Sequence, residues 1–179
     1  MITTSEFPDV NYLARVFRVE NIEKHPNADR LQLVRIEGET VVTGLDCKKG
    51  SLYVHFTVES QIDSKFLAWS NSFSDAERNH DVTKKGFFPK QGRVKIVTLR
   101  GVPSNGYVVP VAEIEKYARE IHGQILDLEK FEGVSFDTLC GERFVKKYVR
   151  PVRQQPAAKQ KQKGNVKKYE TKLVPSLSP

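Results

Sequence analysis

The chain has 179 residues, 39% hydrophobic and 28% charged, with 29 Lys and Arg against 22 Asp and Glu for a formal net charge of +7. That length suits one folded domain around one core. No apolar run approaches the roughly 18 residues of a membrane span, which excludes an integral helical membrane protein.

In chain order, residues 11–20 (NYLARVFRVE) mix alternation with β-branched and aromatic side chains and predict a first strand. A turn-like patch from Asn21 to Arg30 holds HPNADR, after which Leu31, Leu33 and Ile36 predict a second strand ending at Glu37-Gly38-Glu39. Residues 40–45 (TVVTGL) and 51–58 (SLYVHFTV) read as two more, parted by Cys47-Lys48-Lys49-Gly50. Residues 92–99 (GRVKIVTL) alternate cleanly, with Val94 and Ile96 inward and Arg93 and Lys95 outward. Residues 107–111 (YVVPV) make a short edge strand with Pro110 at its end. Between these, residues 59–91 form a long insertion rich in aromatic and charged residues, of a length that in a compact domain is functional or disordered. Residues 113–121 (EIEKYAREI) carry helical spacing at Ile114, Tyr117, Ala118 and Ile121 and predict one helix capping the strands.

The charge is unevenly spread. Residues 143–179 hold eleven basic side chains and one acid, Glu170, which leaves 18 basic and 21 acidic residues in 1–142, a balance of −3. From Gln154 the composition turns to Gln and Lys with few apolar residues, so 152–179 reads as a basic low-complexity linker or tail on a folded domain at 1–151. A basic tail on a near-neutral body is a common device for nucleic acid or anionic surfaces, and equally a solvated chain end. Cys47 and Cys140 form no C-x-x-C, and the four histidines show no i, i+4 pairing, so neither a disulfide framework nor a metal site is expected. The start MITTSEFPDV has no basic head and no apolar block. A reduced, cytoplasmic setting is the expectation.

Three segments carry candidate chemistry. In His25-Pro26-Asn27-Ala28-Asp29-Arg30, the proline and the turn-forming Asn and Asp make a stiff connection that sets strand register. The functional alternative places Arg30 and His25 near a groove, within reach of phosphate. In Arg93-Val94-Lys95 followed by Leu99-Arg100-Gly101-Val102-Pro103-Ser104-Asn105-Gly106, alternation puts Arg93 and Lys95 on one face, Arg100 joins them, and Ser104 can bond local backbone. A basic groove with aromatic platforms is what single strands need, and Phe56, Phe87, Phe88 and Tyr107 are the candidate platforms, core packing being their other use. In residues 144–151 (FVKKYVRP), an apolar side packs on the body while Lys146, Lys147 and Arg150 meet phosphates or simply stay solvated.

The HPNADRLQLV and RGVPSNG stretches resemble the tRNA-binding OB-fold modules appended to some aminoacyl-tRNA synthetases. A wider likeness covers residues 11–151: KKGSLYVHFTVESQIDSKFL, RNHDVTKKGFFPKQGRVKIVTLRGVPSNGYVVP and FDTLCGERFVKKYVRP are similar to the N-terminal domain of a bacterial and phage RNA ligase family. The resemblance implies an all-β fold, an OB-fold-like five-stranded barrel with a long insertion, one short helix and a basic tail. It also implies a C-terminal nucleotidyltransferase domain that seals RNA ends, with ATP and Mg2+ as that domain's cofactors. Such ligases attack ATP with the lysine of a K-x-D-G or K-x-x-G motif. Lys130-Phe131-Glu132-Gly133 and Lys161-Gln162-Lys163-Gly164 match loosely, but the first sits in a turn-like stretch, the second lies in the tail, and only 49 residues follow Lys130. Neither lysine is expected to be catalytic. The expected function is RNA binding that positions nicked or broken RNA for a nucleotidyltransferase domain outside this chain, in cis or in trans, with no membrane partner. The alternative is a tRNA-binding module serving a tRNA enzyme.

Overall fold

The computed structural model describes residues 1–152. Met1–Tyr148 forms one compact unit, and Val149 begins a second. The tail expected from 152 onward lies, beyond Val152 itself, outside the described residues. In chain order the elements are β1 (Ile2–Thr3), β2 (Ala14–Arg18), β3 (Ile22–Lys24), β4 (Leu31–Ile36), β5 (Glu39–Gly44), β6 (Leu52–Phe56), β7 (Ser60–Ile62), α1 (Ser64–Trp69), β8 (Val97–Leu99), β9 (Val102–Ser104), β10 (Tyr107–Pro110), α2 (Val111–His122), β11 (Ser135–Phe136), β12 (Thr138–Leu139), β13 (Glu142–Arg143) and β14 (Val145–Lys147), with short 3-10 turns between some of them. No described helix is long and apolar enough to cross a membrane.

The protein is mostly β. Its ladders run β10-β6-β2-β11, β3-β4-β5, β1-β12-β13, β14-β7 and β8-β9, and among the described residues no ladder closes on itself into a barrel. Chain continuity links the first two. The Val19 N–H donates to Ser51 O at 2.8 Å, extending the β2–β6 pairing, while the Arg35 N–H donates to Asn21 O at 3.1 Å, extending β3–β4. The chain therefore leaves β6 and joins β4 within three residues. Three of the hairpins, β4–β5, β8–β9 and β12–β13, turn through a residue and a glycine that both have positive φ: Glu37-Gly38, Arg100-Gly101 and Cys140-Gly141. This is the two-residue turn whose twist matches the strands it joins.

Burial alternates in β2 and β7, whereas Tyr53, Val54, His55 and Phe56 of β6 are all buried, so that strand faces a core on both sides. One cluster packs Val16, Val54 and Phe56 of the four-stranded sheet against Phe66 of α1, Tyr117 of α2 and Phe144. A second gathers Val34, Ile36 and Val41 of β4 and β5 with Val19, Cys47 and Tyr53. Each such large side chain contributes about 1.5–3 kcal/mol when fully buried. One carboxylate, Asp137, is buried beside the first cluster. Burial alone would raise its pKa, but the Ser5 hydroxyl and N–H (2.6 and 2.8 Å), the Thr138 hydroxyl and nearby Arg143 hold it below the usual carboxylate range.

The predicted strands at 11–20, 40–45, 51–58 and 107–111 appear as β2, β5, β6 and β10, and the predicted helix as α2. Residues 92–99 differ: only Val97–Leu99 is a strand. The segment changes partner midway. Ile62 N–H to Gly92 O (2.9 Å) and Val94 N–H to Ser60 O (2.8 Å) tie its start beside β7, whereas its end pairs with β9, and Lys95 and Ile96 lie at the crossing. A second helix, α1, was not predicted. Asp63 caps it by accepting the Lys65 N–H at 3.2 Å, and Phe66 and Leu67 are buried.

The 59–91 insertion is ordered by backbone contacts that its composition does not advertise. Asn79 is buried; its Oδ1 accepts the Phe73 N–H at 3.0 Å, and its Nδ2 donates to Phe73 O at 3.0 Å and Lys84 O at 2.7 Å. Gly86 lets two backbones touch, since a Cβ there would collide with the Ser72 backbone; Gly86 N–H reaches Phe73 O at 2.8 Å and Phe88 N–H reaches Ser72 O at 2.9 Å. Buried polar groups left unpaired cost about 1–3 kcal/mol each. Asn79→Ala is therefore expected to lower stability by about 3 kcal/mol in urea denaturation and to speed proteolysis within 80–90; a loss under about 0.5 kcal/mol would show that the insertion is held by other contacts.

Candidate nucleic-acid interface

The two turn motifs meet. The buried His25 accepts the Asn27 N–H on Nδ1 at 3.0 Å, which leaves Nε2 to donate to Leu99 O at 2.9 Å. The Asn27 side-chain amide donates to Arg100 O, also at 2.9 Å. The HPNADR loop thus clamps the Arg100-Gly101 turn, where Arg100 sits at φ 51, a conformation unfavourable for a residue with a Cβ. The clamp leaves the Arg100 side chain exposed at the hairpin tip. Arg30 is exposed at the start of β4.

Ser104 has a different environment. It is buried, and its hydroxyl accepts the Val42 N–H at 2.9 Å, tying β9 to β5. The Asn105 N–H adds a bond to Thr40 O at 2.7 Å. Gly106 follows at φ 115; a Cβ there would strike the His55 ring and lie 2.7 Å from Phe56 O, so only glycine lets the chain pass into β10. Burial holds His55 below the usual histidine range, although its Nε2 lies 3.4 Å from Asn105 O.

Arg93 and Lys95 are not equivalent. Arg93 makes a two-pronged pair with Glu59, both bonds 2.7 Å, and its guanidinium lies 4.7 Å from the Tyr148 ring centre. Gln61 pairs with Arg93 on one side and with Lys146 on the other, which puts Arg93 and Lys146 on the same face. Lys147 points to the opposite face, 5.7 Å over the Tyr12 ring. Lys95 is exposed, as are Lys146, Lys147 and, in the second unit, Arg150. No salt bridge among the described residues engages Lys95 or Arg100.

A cavity of about 620 Å³ opens between β5, β10 and the 87–99 segment. Val41, Val97 and Leu99 give it apolar walls, and Phe88 and Tyr107 give it aromatic ones. Phe87 stacks on Phe88 at 4.8 Å, and Phe88 meets Tyr107 edge-on at 4.8 Å. Of the expected platforms, Phe56 and Phe88 are fully buried and serve the core, whereas Phe87 is 61% exposed. Burial pushes the Cys47 thiol and the Tyr53 and Tyr107 hydroxyls up, so these wall groups stay uncharged at neutral pH. Charge stands among the lining at Arg93, Lys95 and Asp46, with Arg93 already paired.

The signal that sequence reading missed is an absence of acids. From Val82 to Ala112 there are six basic residues and no Asp or Glu, in a chain with 22 acids. That stretch supplies most of the cavity's lining. Lys130, the loose K-x-x-G match, has a 78% exposed side chain, 4.0 Å from Asp127, in a 3-10 turn. Among the described residues, no group of three or more His, Cys, Asp or Glu is placed to hold a metal ion.

No protein-family model matches the chain, and no curated protein does. Among solved structures it is similar to an RNA ligase of Naegleria gruberi. A mutant form with ATP and Mn is 19% identical over 79% of this chain and 36% of that one, at a TM-score of 0.44. The form with PPi is 18% identical over 80% and 37%, at 0.45. The chain spans little more than a third of the length of those ligases.

His25→Ala is expected to strand Leu99 O and the Asn27 N–H, costing about 2 kcal/mol. Amide exchange should then quicken selectively across 97–104. Unchanged exchange there would mean that the Arg100-Gly101 turn holds itself.

Proposed function

We propose that Met1–Tyr148 is an OB-type module that binds single-stranded RNA and positions nicked or broken RNA for a nucleotidyltransferase domain outside this chain. The observation that carries the reading is the coincidence of the acid-free stretch with the apolar cavity it walls. Unpaired strands offer phosphates and base faces together, and a largely apolar cavity edged by free cations answers both.

An OB-type ring would run from β2–β3 through β4 and β5 to β9–β10, then β6, and back to β2. Its support lies in the ladders β3-β4-β5 and β10-β6-β2, the continuity through Val19–Asn21, and the bonds from Asn105 and Ser104 to β5. Lys95 and Arg100 meet phosphates beside the cavity, Lys146 meets them along the β7–β14 face, and Arg30, Lys147 and Arg150 add positive charge. Arg93 and Ser104 act by positioning: the first fixes the 92–94 segment through Glu59, and the second fixes β9 against β5. The ligase assignment rests on the likeness of the motifs quoted above. In it, ATP and Mg2+ belong to the nucleotidyltransferase domain, in cis or in trans, and this chain contributes RNA positioning.

Fluorescence anisotropy with a 12-nucleotide single strand tests the reading. Affinity of the full chain should fall with salt at a log–log slope of about −0.7 per neutralised phosphate, hence about −2 for three contacts. Lys95→Glu/Arg100→Glu should flatten that slope by about 1.4. Affinity indifferent to salt would overturn the proposal. Competition favouring intact tRNA over nicked duplex would transfer it to a tRNA-binding module, which the HPNADR and RGVPSNG motifs also resemble.

A further inference from the structure

We infer that the cavity between β5, β10 and the 87–99 segment takes one unpaired nucleobase of the RNA strand, with that nucleotide's flanking phosphates on Lys95 and Arg100. The inference rests on the RNA-binding reading and makes it specific: a base is inserted, so fully paired, unbroken duplex RNA is a poor ligand.

Size is the first ground. About 620 Å³ lies within the range of roughly 300–1,000 Å³ typical of pockets for small ligands. It accommodates a nucleoside and is far too narrow for a double helix. The second ground is the chemistry of the wall. Phe87 is 61% exposed although it stacks on a fully buried phenylalanine, so one aromatic face is held out of the core by rigid support. Val97 and Leu99 are 38% and 36% exposed on the same segment. An apolar surface left open in this way marks a ligand or partner site. A planar, weakly polar base fits it, and stacking on an aromatic accepts any base.

Charge then selects among apolar ligands. With six basic residues and no acid from 82 to 112, the surroundings favour an apolar group carried on a polyanion over an apolar peptide. Asp46, the acid among the lining residues, comes from the turn that follows β5.

The test uses the full chain, a 12-nucleotide single-stranded RNA, and the same strand with four central abasic sites, which keeps the phosphates and removes the bases. Anisotropy at fixed salt should give about tenfold tighter binding of the intact strand. Phe87→Ala removes the platform, and Val97→Trp fills the cavity. Each should lose about that tenfold on intact RNA and leave abasic RNA unchanged. Lys95→Glu should weaken both strands alike. Thermal melting identifies a variant that fails to fold; Phe87 is exposed, so its alanine variant decides the matter if the tryptophan does not fold. If Phe87→Ala weakens intact and abasic strands equally, or neither, the base pocket is refuted and the RNA-binding reading stands. If neither strand binds the full chain, both readings fall.

Discussion

His25 and Asn27 donate to two successive carbonyls, Leu99 O and Arg100 O, about 74 residues further along the chain. Most of what the surface can do depends on that contact. It fixes the hairpin of β8 and β9, whose tip carries Arg100 and whose first strand supplies Val97 and Leu99 to the cavity wall. A residue with a Cβ at positive φ is strained by about 1 kcal/mol, and two bonds from a stiff, proline-containing loop hold it there. Beyond the hairpin, Ser104 and Asn105 tie the chain to β5, and Gly106 admits it to β10. The opposite end of the same stretch is held by Asn79 and by the Glu59–Arg93 pair. A segment carrying six positive charges repels itself, so its order needs such fixed points.

The charges divide into two kinds with different physics. Arg93 is compensated by Glu59 and stacked on Tyr148, so its charge adds little to the field outside. Lys95 and Arg100 are free of such partners among the described residues, and their field reaches about 8–10 Å into solvent at physiological salt. That range is ample for capturing a phosphate chain and says nothing about which bases it carries. On the proposed reading, discrimination between paired and unpaired RNA comes from the cavity, where Tyr53, Cys47 and Tyr107 remain uncharged.

How much of this was legible in the sequence depended on the range of the interaction involved. β4, β5, β6 and β10 announce themselves as short β-branched and aromatic runs between turn residues, and α2 through the helical spacing of Ile114, Tyr117 and Ala118. Residues 92–99 carry the same pattern, yet they switch ladders at Lys95, and alternation cannot reveal a change of partner. Helix α1 is six residues long, too short for a helical period to separate from a run of aromatics. The pairing of Arg93 spans 34 residues, so a basic residue that reads as free in sequence is bound in the fold. Lys146 and Lys147 are adjacent, and a strand must send them to opposite faces, however much FVKKYV looks like one basic edge. The turn reading of HPNADR was legible; its target was not, because nothing local connects His25 with Leu99. The absence of acids from 82 to 112 was present in the sequence throughout and needed only counting.

The central claim is that RNA is read by the cavity face of the folded unit and not by the basic tail. Photo-crosslinking of the full chain to a single-stranded RNA carrying 4-thiouridine, with adducts located by mass spectrometry, addresses that claim directly. The account predicts adducts on peptides covering 84–107, concentrated at Phe87 and Tyr107. Adducts confined to residues 153–179 would contradict it.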